Sequence, residues 1–154
     1  MTIQHPQTSV PAAQLYDHDF YLWLEETARL LRNGELAKLD IENLLEEIEG
    51  MSRSAKQAVE SNLEVVLMHL LKYQYQPKRR SNSWRFTLLE HRSRLSKDFG
   101  DSPSLRSHFA QTFNKSYQQA RKLAAAETGL PIETFPPDSP FTSEQTLNED
   151  YLPE

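Results

Sequence analysis

The strongest constraint on the fold is one apolar register that recurs at helical spacing over residues 41–73. Apolar residues three or four positions apart lie on one side of an α-helix, so the register predicts a helix over about residues 40–75. Gly50 interrupts the register and costs about 1 kcal/mol in a helix interior, which predicts a kink at that position. The alternative is two helices, the second restarting at Ser54 in a sequence that resembles a capping box.

The second half of this helix is apolar on nearly every side between Leu63 and Leu71. A helix that is hydrophobic on more than one face is buried on more than one face, so we expect this part to form the centre of a helical bundle. Its apolar run is far shorter than the roughly 20 residues of a membrane span.

Three further segments have helical patterns. A helix from about Asp19 to Arg32 would present an apolar stripe of Phe20, Leu24, Ala28 and Leu31, widened by Trp23 and Thr27. A third helix carries Trp84, Leu88, Leu95 and Phe99 and is expected to end at Gly100. A fourth is predicted to begin with Ser102 as its cap and Pro103 in its first turn, and to end at Gly129.

These elements predict an all-α protein, an antiparallel bundle of four to five helices with a kinked long helix and an extended C-terminal tail. Residues 1–15 are expected to be a flexible N-terminal arm, and residues 16–130 the helical bundle domain. Residues 131–154 are rich in proline and acidic residues. Because several aromatic residues lie among them, we expect this tail to pack on the bundle, with one helical turn after Thr142 or Ser143.

Charge is distributed unevenly along the chain, whose formal net charge is -5. Residues 17–49 contain ten acidic and three basic residues, whereas residues 72–97 contain eight basic residues and one acidic residue, Glu90. The two segments could complement each other as packed helices, or the basic one could be a docking surface. The acidic character of the whole chain weakens long-range attraction to nucleic acid.

Several function classes have no signature in the sequence. Without cysteine the chain has neither disulfides nor thiolate ligands and nucleophiles, and its first residues do not resemble a secretory signal. We therefore expect a cytoplasmic protein that is not associated with a membrane. No pattern of nucleophile, base or cofactor-binding loop is present, so we expect no enzymatic activity, no cofactor and no metal.

His69 is the one side chain that keeps a metal-dependent enzyme open as an alternative. It lies in the most apolar part of the chain, where a histidine either bonds to a neighbouring group or serves as a ligand or proton carrier. The Glu-x-x-His pattern of di-iron bundles is absent. A metal site would have to combine His69 with carboxylates of another segment, such as Glu46, Glu47 or Glu49.

Basic and aromatic residues alternate over residues 73–86. Such a segment can neutralise phosphates while its aromatic rings stack on bases; alternatively, the rings close one end of the bundle and the cations pair with helix ends or acidic residues. The candidate binding residues, taken together with His69, are Lys78, Arg79, Arg80, Trp84, Arg85 and His69.

Several short motifs occur in a familiar order. They are Tyr16-Asp17-His18-Asp19-Phe20-Tyr21-Leu22-Trp23, residues 40–49, residues 69–77 (HLLKYQYQP), Arg80-Ser81-Asn82-Ser83-Trp84, His91-Arg92, and Ser102-Pro103-Ser104-Leu105. In this order the chain resembles the DUF29 family, small helical proteins of cyanobacteria and other bacteria, over residues 16–153. Tyr73 and His91-Arg92 stand where the family more often has Trp and Gln-Arg. The resemblance implies a helical bundle and carries no catalytic residues, since the family has no established function.

Together these patterns favour a non-enzymatic protein-interaction module, acting on a protein partner or by self-association. Nucleic-acid binding through residues 72–97 is the alternative, and a metal-dependent enzyme centred on His69 is a further one.

Overall fold

The computed structural model describes residues 11–154, and the first ten residues of the predicted arm lie outside them. Within this part of the chain the secondary structure is helical, without strands: α1 Ala12–His18, α2 Phe20–Arg32, α3 Ile41–Tyr75, α4 Asn82–Asp101, α5 Leu105–Thr128 and α6 Ser143–Leu147. The predicted all-α class and bundle packing are confirmed. The contacts divide the chain into two compact units, Met1–Arg53 and Ser54–Glu154. The expected domain of residues 16–130 stays a prediction.

The long helix α3 is continuous through Gly50, so the alternative of a restart at Ser54 is wrong. Gly50 has no positive φ, and an added Cβ would meet only the Arg53 side chain at 3.7 Å. Its backbone is therefore ordinary helix, and a bend at this position stays a prediction. The buried side chains of α3 begin at Val59, which explains why the first unit takes few core residues from this helix.

The first unit is organised around Trp23, whose side chain is fully buried. Its indole Nε1–H donates to Asp40 Oδ2 at 3.2 Å, and the ring packs edge-on against Tyr16 at 5.0 Å between centroids. Asp19 caps α2 by accepting from Leu22 N. Helix α1 was not predicted. It has no buried residue of its own, so its sequence lacks the apolar period that identifies a helix.

The second unit is a three-helix bundle. Side-chain bonds join Glu60 to His108 and Lys72 to Glu127, so α3 and α5 run parallel. The α4 helix runs antiparallel to α3, since His91 contacts Asn62 while Trp84 contacts Lys72. Core side chains from all three helices and the tail form one cluster: Val59, Leu63, Val66, Leu67, Leu70, Leu71, Leu88, Leu95, Phe99, Phe109, Tyr117, Ala120, Ala124, Phe135 and Phe141.

The predicted boundary between α4 and α5 needs correction. Gly100 lies inside α4, which ends at Asp101, and α5 begins at Leu105 rather than Pro103. Gly100 has no positive φ, so it does not form a left-handed exit from the helix. Gly129 does form one, with φ 72°, at the predicted end of α5.

The C-terminal tail lies against α4 and α5 within the second unit. Phe135 and Phe141 are buried in the common core, and Arg121 Nε donates to the Phe135 carbonyl at 2.9 Å. The single turn α6 begins with a capping box between Thr142 and Gln145, where a turn was predicted.

Candidate interaction surfaces

The α2 helix of the first unit exposes the apolar stripe that its sequence was expected to bury. Its buried residues are Trp23, Thr27 and Leu30. Leu24 and Leu31 each follow a buried residue by one position, and Phe20 lies four positions before Leu24 on the same side of the helix; their side chains are 45%, 48% and 45% exposed. One position is a rotation of about 100° around a helix, so the exposed stripe borders the buried one.

The part of α3 in the first unit has a second exposed apolar stripe. Ile41, Leu45 and Ile48 lie at spacings of four and three, on one side of the helix, and are 64%, 51% and 52% exposed. We call the two stripes together the apolar surface: Phe20, Leu24, Leu31, Ile41, Leu45 and Ile48.

A row of carboxylates borders the α3 stripe. Glu42, Glu46 and Glu49 repeat the spacing of the stripe one position along, and all three are exposed. Glu46 pairs with Arg53 at 3.2 Å, whereas Glu42 and Glu49 have no ion pair within residues 11–154. We call these three the glutamate row. The α3 stripe is therefore flanked by net negative charge.

In the second unit, one cation of the basic segment, Lys72, is buried. Lys72 is 4% exposed; its Nζ donates to Glu127 Oε1 at 2.7 Å and lies 4.6 Å from the centre of the Trp84 ring. The two partners satisfy a cation that burial would otherwise destabilise. Lys72 and the face of Trp84 are thus engaged with each other.

Two of the predicted binding arginines contact residues that are close to them in the chain. Arg80 Nε donates to the Tyr73 carbonyl at 2.8 Å, and its guanidinium lies 4.3 Å from the Tyr73 ring centre. Arg85 Nη1 donates to Asn82 Oδ1 at 2.7 Å and lies 6.0 Å from the same ring. These contacts tie the α3–α4 connection to the end of α3.

Lys78 and Arg79 are exposed on a short 3-10 turn after Pro77. With Tyr75 and Gln76 they line an open pocket of about 280 Å³. Neither has an ion pair with the part of the chain that the structure describes. Of the predicted set of cations, they are the two most available for an anionic ligand.

His69 is 9% exposed, and its Nδ1 lies 2.9 Å from the Val65 carbonyl one turn earlier in the same helix. Burial lowers its pKa; the bond to the Val65 carbonyl acts in the opposite direction, and the nearby Lys72 lowers the pKa as well. No group of three His, Asp or Glu side chains that could hold a metal occurs in residues 11–154. The geometry accounts for His69 as a core residue bonded to its own helix.

Arg92 lies on the buried side of α4 with 1% exposure. Its guanidinium donates to three backbone carbonyls of the tail, those of Thr146 at 2.9 Å, Tyr151 at 2.8 Å and Gln145 at 3.0 Å. Burial lowers its pKa, the cost of holding a cation there. Arg92 is one of the eight basic residues of the segment 72–97, and its three hydrogen bonds hold the tail against the bundle.

Away from Arg92, α4 exposes two apolar side chains, Phe86 and Leu89, at 64% and 48%. Lys97, eleven positions after Phe86, lies on the same side of the helix as Phe86, together with Glu90, four positions after it. Arg85 lies seven positions before Arg92 and therefore on the Arg92 side of the helix.

The sequence identified the candidate cations, but it did not show that the apolar stripes of α2 and α3 are exposed. Periodicity predicted that the stripes of α2 and α3 are apolar, but it could not show that nothing within the unit covers them. The glutamate row repeats the spacing of the α3 stripe one position along, and this pattern in the sequence could have indicated a surface bordered by charge.

The described helices include none with the length and apolar content needed to cross a membrane. No curated protein and no solved structure matches the chain. The family model described as Domain of unknown function DUF29 matches residues 15–152, nearly the whole chain. The chain therefore belongs to the DUF29 family.

Proposed function

We propose that this protein is a non-enzymatic interaction module that binds protein through the apolar surface of its first unit. One observation carries the proposal: the first unit buries Trp23, Thr27 and Leu30 of α2 while exposing six large apolar side chains in two stripes. Helices with an apolar stripe are stable when another layer covers it. Large exposed apolar patches on monomers mark interaction sites.

The size of the surface supports the same conclusion. Six large side chains, each about half exposed, offer on the order of 500 Å² of apolar area if a fully exposed side chain contributes roughly 150–200 Å². A standard interface buries about 800 Å² per partner, of which rather more than half is apolar. The apolar surface thus matches the apolar part of an ordinary protein–protein interface.

Nucleic-acid binding through residues 72–97 has less support. Lys72 and Arg92 are buried and engaged, Arg80 is bonded to the chain, and Arg94 pairs with Glu90 at 2.7 Å. The remaining exposed cations would give weak, strongly salt-dependent binding. The same reasoning favours a protein partner over a polyanion.

The test combines light scattering of the purified protein with capture of partners from the native host at physiological salt. The bait is the full chain, compared with an Ile48→Ser variant and with Leu22→Ser, which changes a 43% exposed leucine on another side of α2. We expect an assembly, or a captured protein, that is lost with Ile48→Ser and kept with Leu22→Ser. A monomer that captures nothing would refute the proposal.

A further inference from the structure

We infer that the α3 stripe of the first unit, Ile41, Leu45 and Ile48, is covered by a helix of a partner protein that carries lysine or arginine beside its own apolar stripe. The inference rests on the proposed function and adds the chemical class of the partner. It follows from the register of the stripe, from its exposure and from the charges that border it.

The α3 stripe has the spacing of a coiled-coil seam. Ile41, Leu45 and Ile48 are four and three positions apart, which corresponds to positions d, a and d of a heptad. Each of these side chains is at least half exposed. Val59 and Val66 occupy later a positions of the same register and are fully buried in the second unit. The register that is covered later in the helix is therefore uncovered in the first unit.

Glutamates occupy the e positions beside this seam. Glu42 and Glu49 each follow a d residue by one position, are exposed, and have no ion pair within residues 11–154. Residues at e positions lie against the flank of a partner helix, and their charge determines which partner is favoured. The next e position holds Lys56, so the acidic border ends where the large apolar residues end. A helix that covers the seam is therefore favoured when it places cations opposite Glu42 and Glu49.

A second copy of the α3 stripe does not supply those cations. An antiparallel pair with Leu45 opposite Ile48 aligns e positions with each other. Glu42 of one copy would then lie against Glu49 of the other, and like charges opposed across an interface are unfavourable. In a parallel pair, e positions lie against g positions, and the g positions of the first unit hold leucine and methionine rather than cations.

Two synthetic peptides of roughly 21 residues, long enough to form a helix, test the inference. Both carry leucine at a and d. One has lysine and the other glutamate at every e and g position, so like charges keep each peptide from pairing with itself. Fluorescence anisotropy of the labelled peptides measures their binding to the full chain. We expect the lysine peptide to bind about tenfold more tightly than the glutamate peptide, because unlike charges then replace like charges beside the seam.

Substitution of an apolar residue locates the contact. Ile48→Ser should raise the dissociation constant of the lysine peptide about tenfold, as for a central interface residue. Leu22→Ser, at an exposed leucine on another side of α2, is the matched control and should leave the constant unchanged. Equal effects of the two substitutions would overturn the assignment of the seam.

Charge reversal then tests the border. The double variant Glu42→Lys, Glu49→Lys should bind the glutamate peptide more tightly than the lysine peptide, an exchange of preference that a folding defect could not produce. The double variant Glu133→Lys, Asp150→Lys changes the net charge equally at exposed positions of the second unit and should keep the original preference. A lysine-peptide preference that persists in the first double variant, or is lost in both, would overturn the inference.

Three outcomes separate this inference from the proposed function. Capture of a host protein that is lost with Ile48→Ser, together with equal binding of the two peptides or no binding, overturns the basic helix as partner and leaves the interaction module standing. A wild-type dimer that dissociates with Ile48→Ser places a second copy on the stripe and also overturns the inference. A chain that neither assembles nor captures a protein refutes the proposed function and the inference with it.

Discussion

Replacing Arg92 with methionine should release the C-terminal tail. The guanidinium is 1% exposed and donates to the carbonyls of Gln145, Thr146 and Tyr151 at 2.8–3.0 Å. Methionine fills a similar volume and donates nothing, so three carbonyls lose their donors.

The magnitude follows from those three bonds. An unsatisfied buried polar group costs about 1–3 kcal/mol, which gives an upper range near 3–9 kcal/mol. Removing a buried cation recovers its desolvation cost, and detachment of the tail lets water reach the carbonyls. We therefore expect Arg92→Met to lower the free energy of unfolding by about 2–4 kcal/mol.

Arg94→Met on the same helix is the matched control, because Arg94 is 55% exposed and pairs only with Glu90. An exposed pair of this kind contributes about 0–1 kcal/mol. Urea denaturation followed by circular dichroism measures both variants, and hydrogen exchange of peptides covering residues 141–152 should accelerate only in Arg92→Met. Equal losses of unfolding free energy in the two variants, or an unchanged exchange rate in the tail, would refute the role of Arg92 in holding the tail.

Three further predictions address the core and the first unit. Glu127→Gln leaves the Lys72 cation buried without its carboxylate and should cost about 1–2 kcal/mol in urea denaturation, discounted because Glu127 is half exposed. Burial lowers the pKa of His69 and of His91 in the folded state. Below the unfolded-state pKa of about 6.5 the unfolded chain binds more protons than the folded chain. The free energy of unfolding should therefore decrease as the pH is lowered, and it should decrease less steeply in His69→Leu. Trp23→Ala removes the fully buried centre of the first unit and should cost about 3–5 kcal/mol, seen as fast hydrogen exchange over residues 20–32 with residues 59–73 still protected.

Two of these have a control on the surface. Glu133→Gln, at an exposed position, should leave the denaturation midpoint unchanged. Tyr21→Ala, at a side chain 72% exposed, should leave exchange over α2 slow. A control variant that changes as much as its test variant in the same measurement would contradict the contact being tested.

The sequence predicted the second unit better than the first. Helical periodicity and local cap chemistry act within a few residues, so the boundaries at Gly129 and Thr142 could be placed in advance. The apolar run at residues 63–71 is buried on several sides because α4, α5 and the tail surround it.

Periodicity could not distinguish a buried stripe from an exposed one. Phe20, Leu24 and Leu31 satisfy the same pattern as Trp23, Thr27 and Leu30, and only the position of the neighbouring elements decides which set is covered. The roles of the cations were equally hidden. Arg92 and Arg94 look alike in a basic segment, yet one is buried against the tail carbonyls and the other is on the surface.

Site-specific photo-crosslinking in the native host tests the central claim most directly, that protein covers the apolar surface of the first unit. A benzoylphenylalanine is placed at Ile48 in one variant and at Leu22 in another, both exposed apolar positions of that unit. We predict adducts to protein from position 48 and none from position 22. Absence of adducts at position 48, or equal yields at the two positions, would contradict the claim.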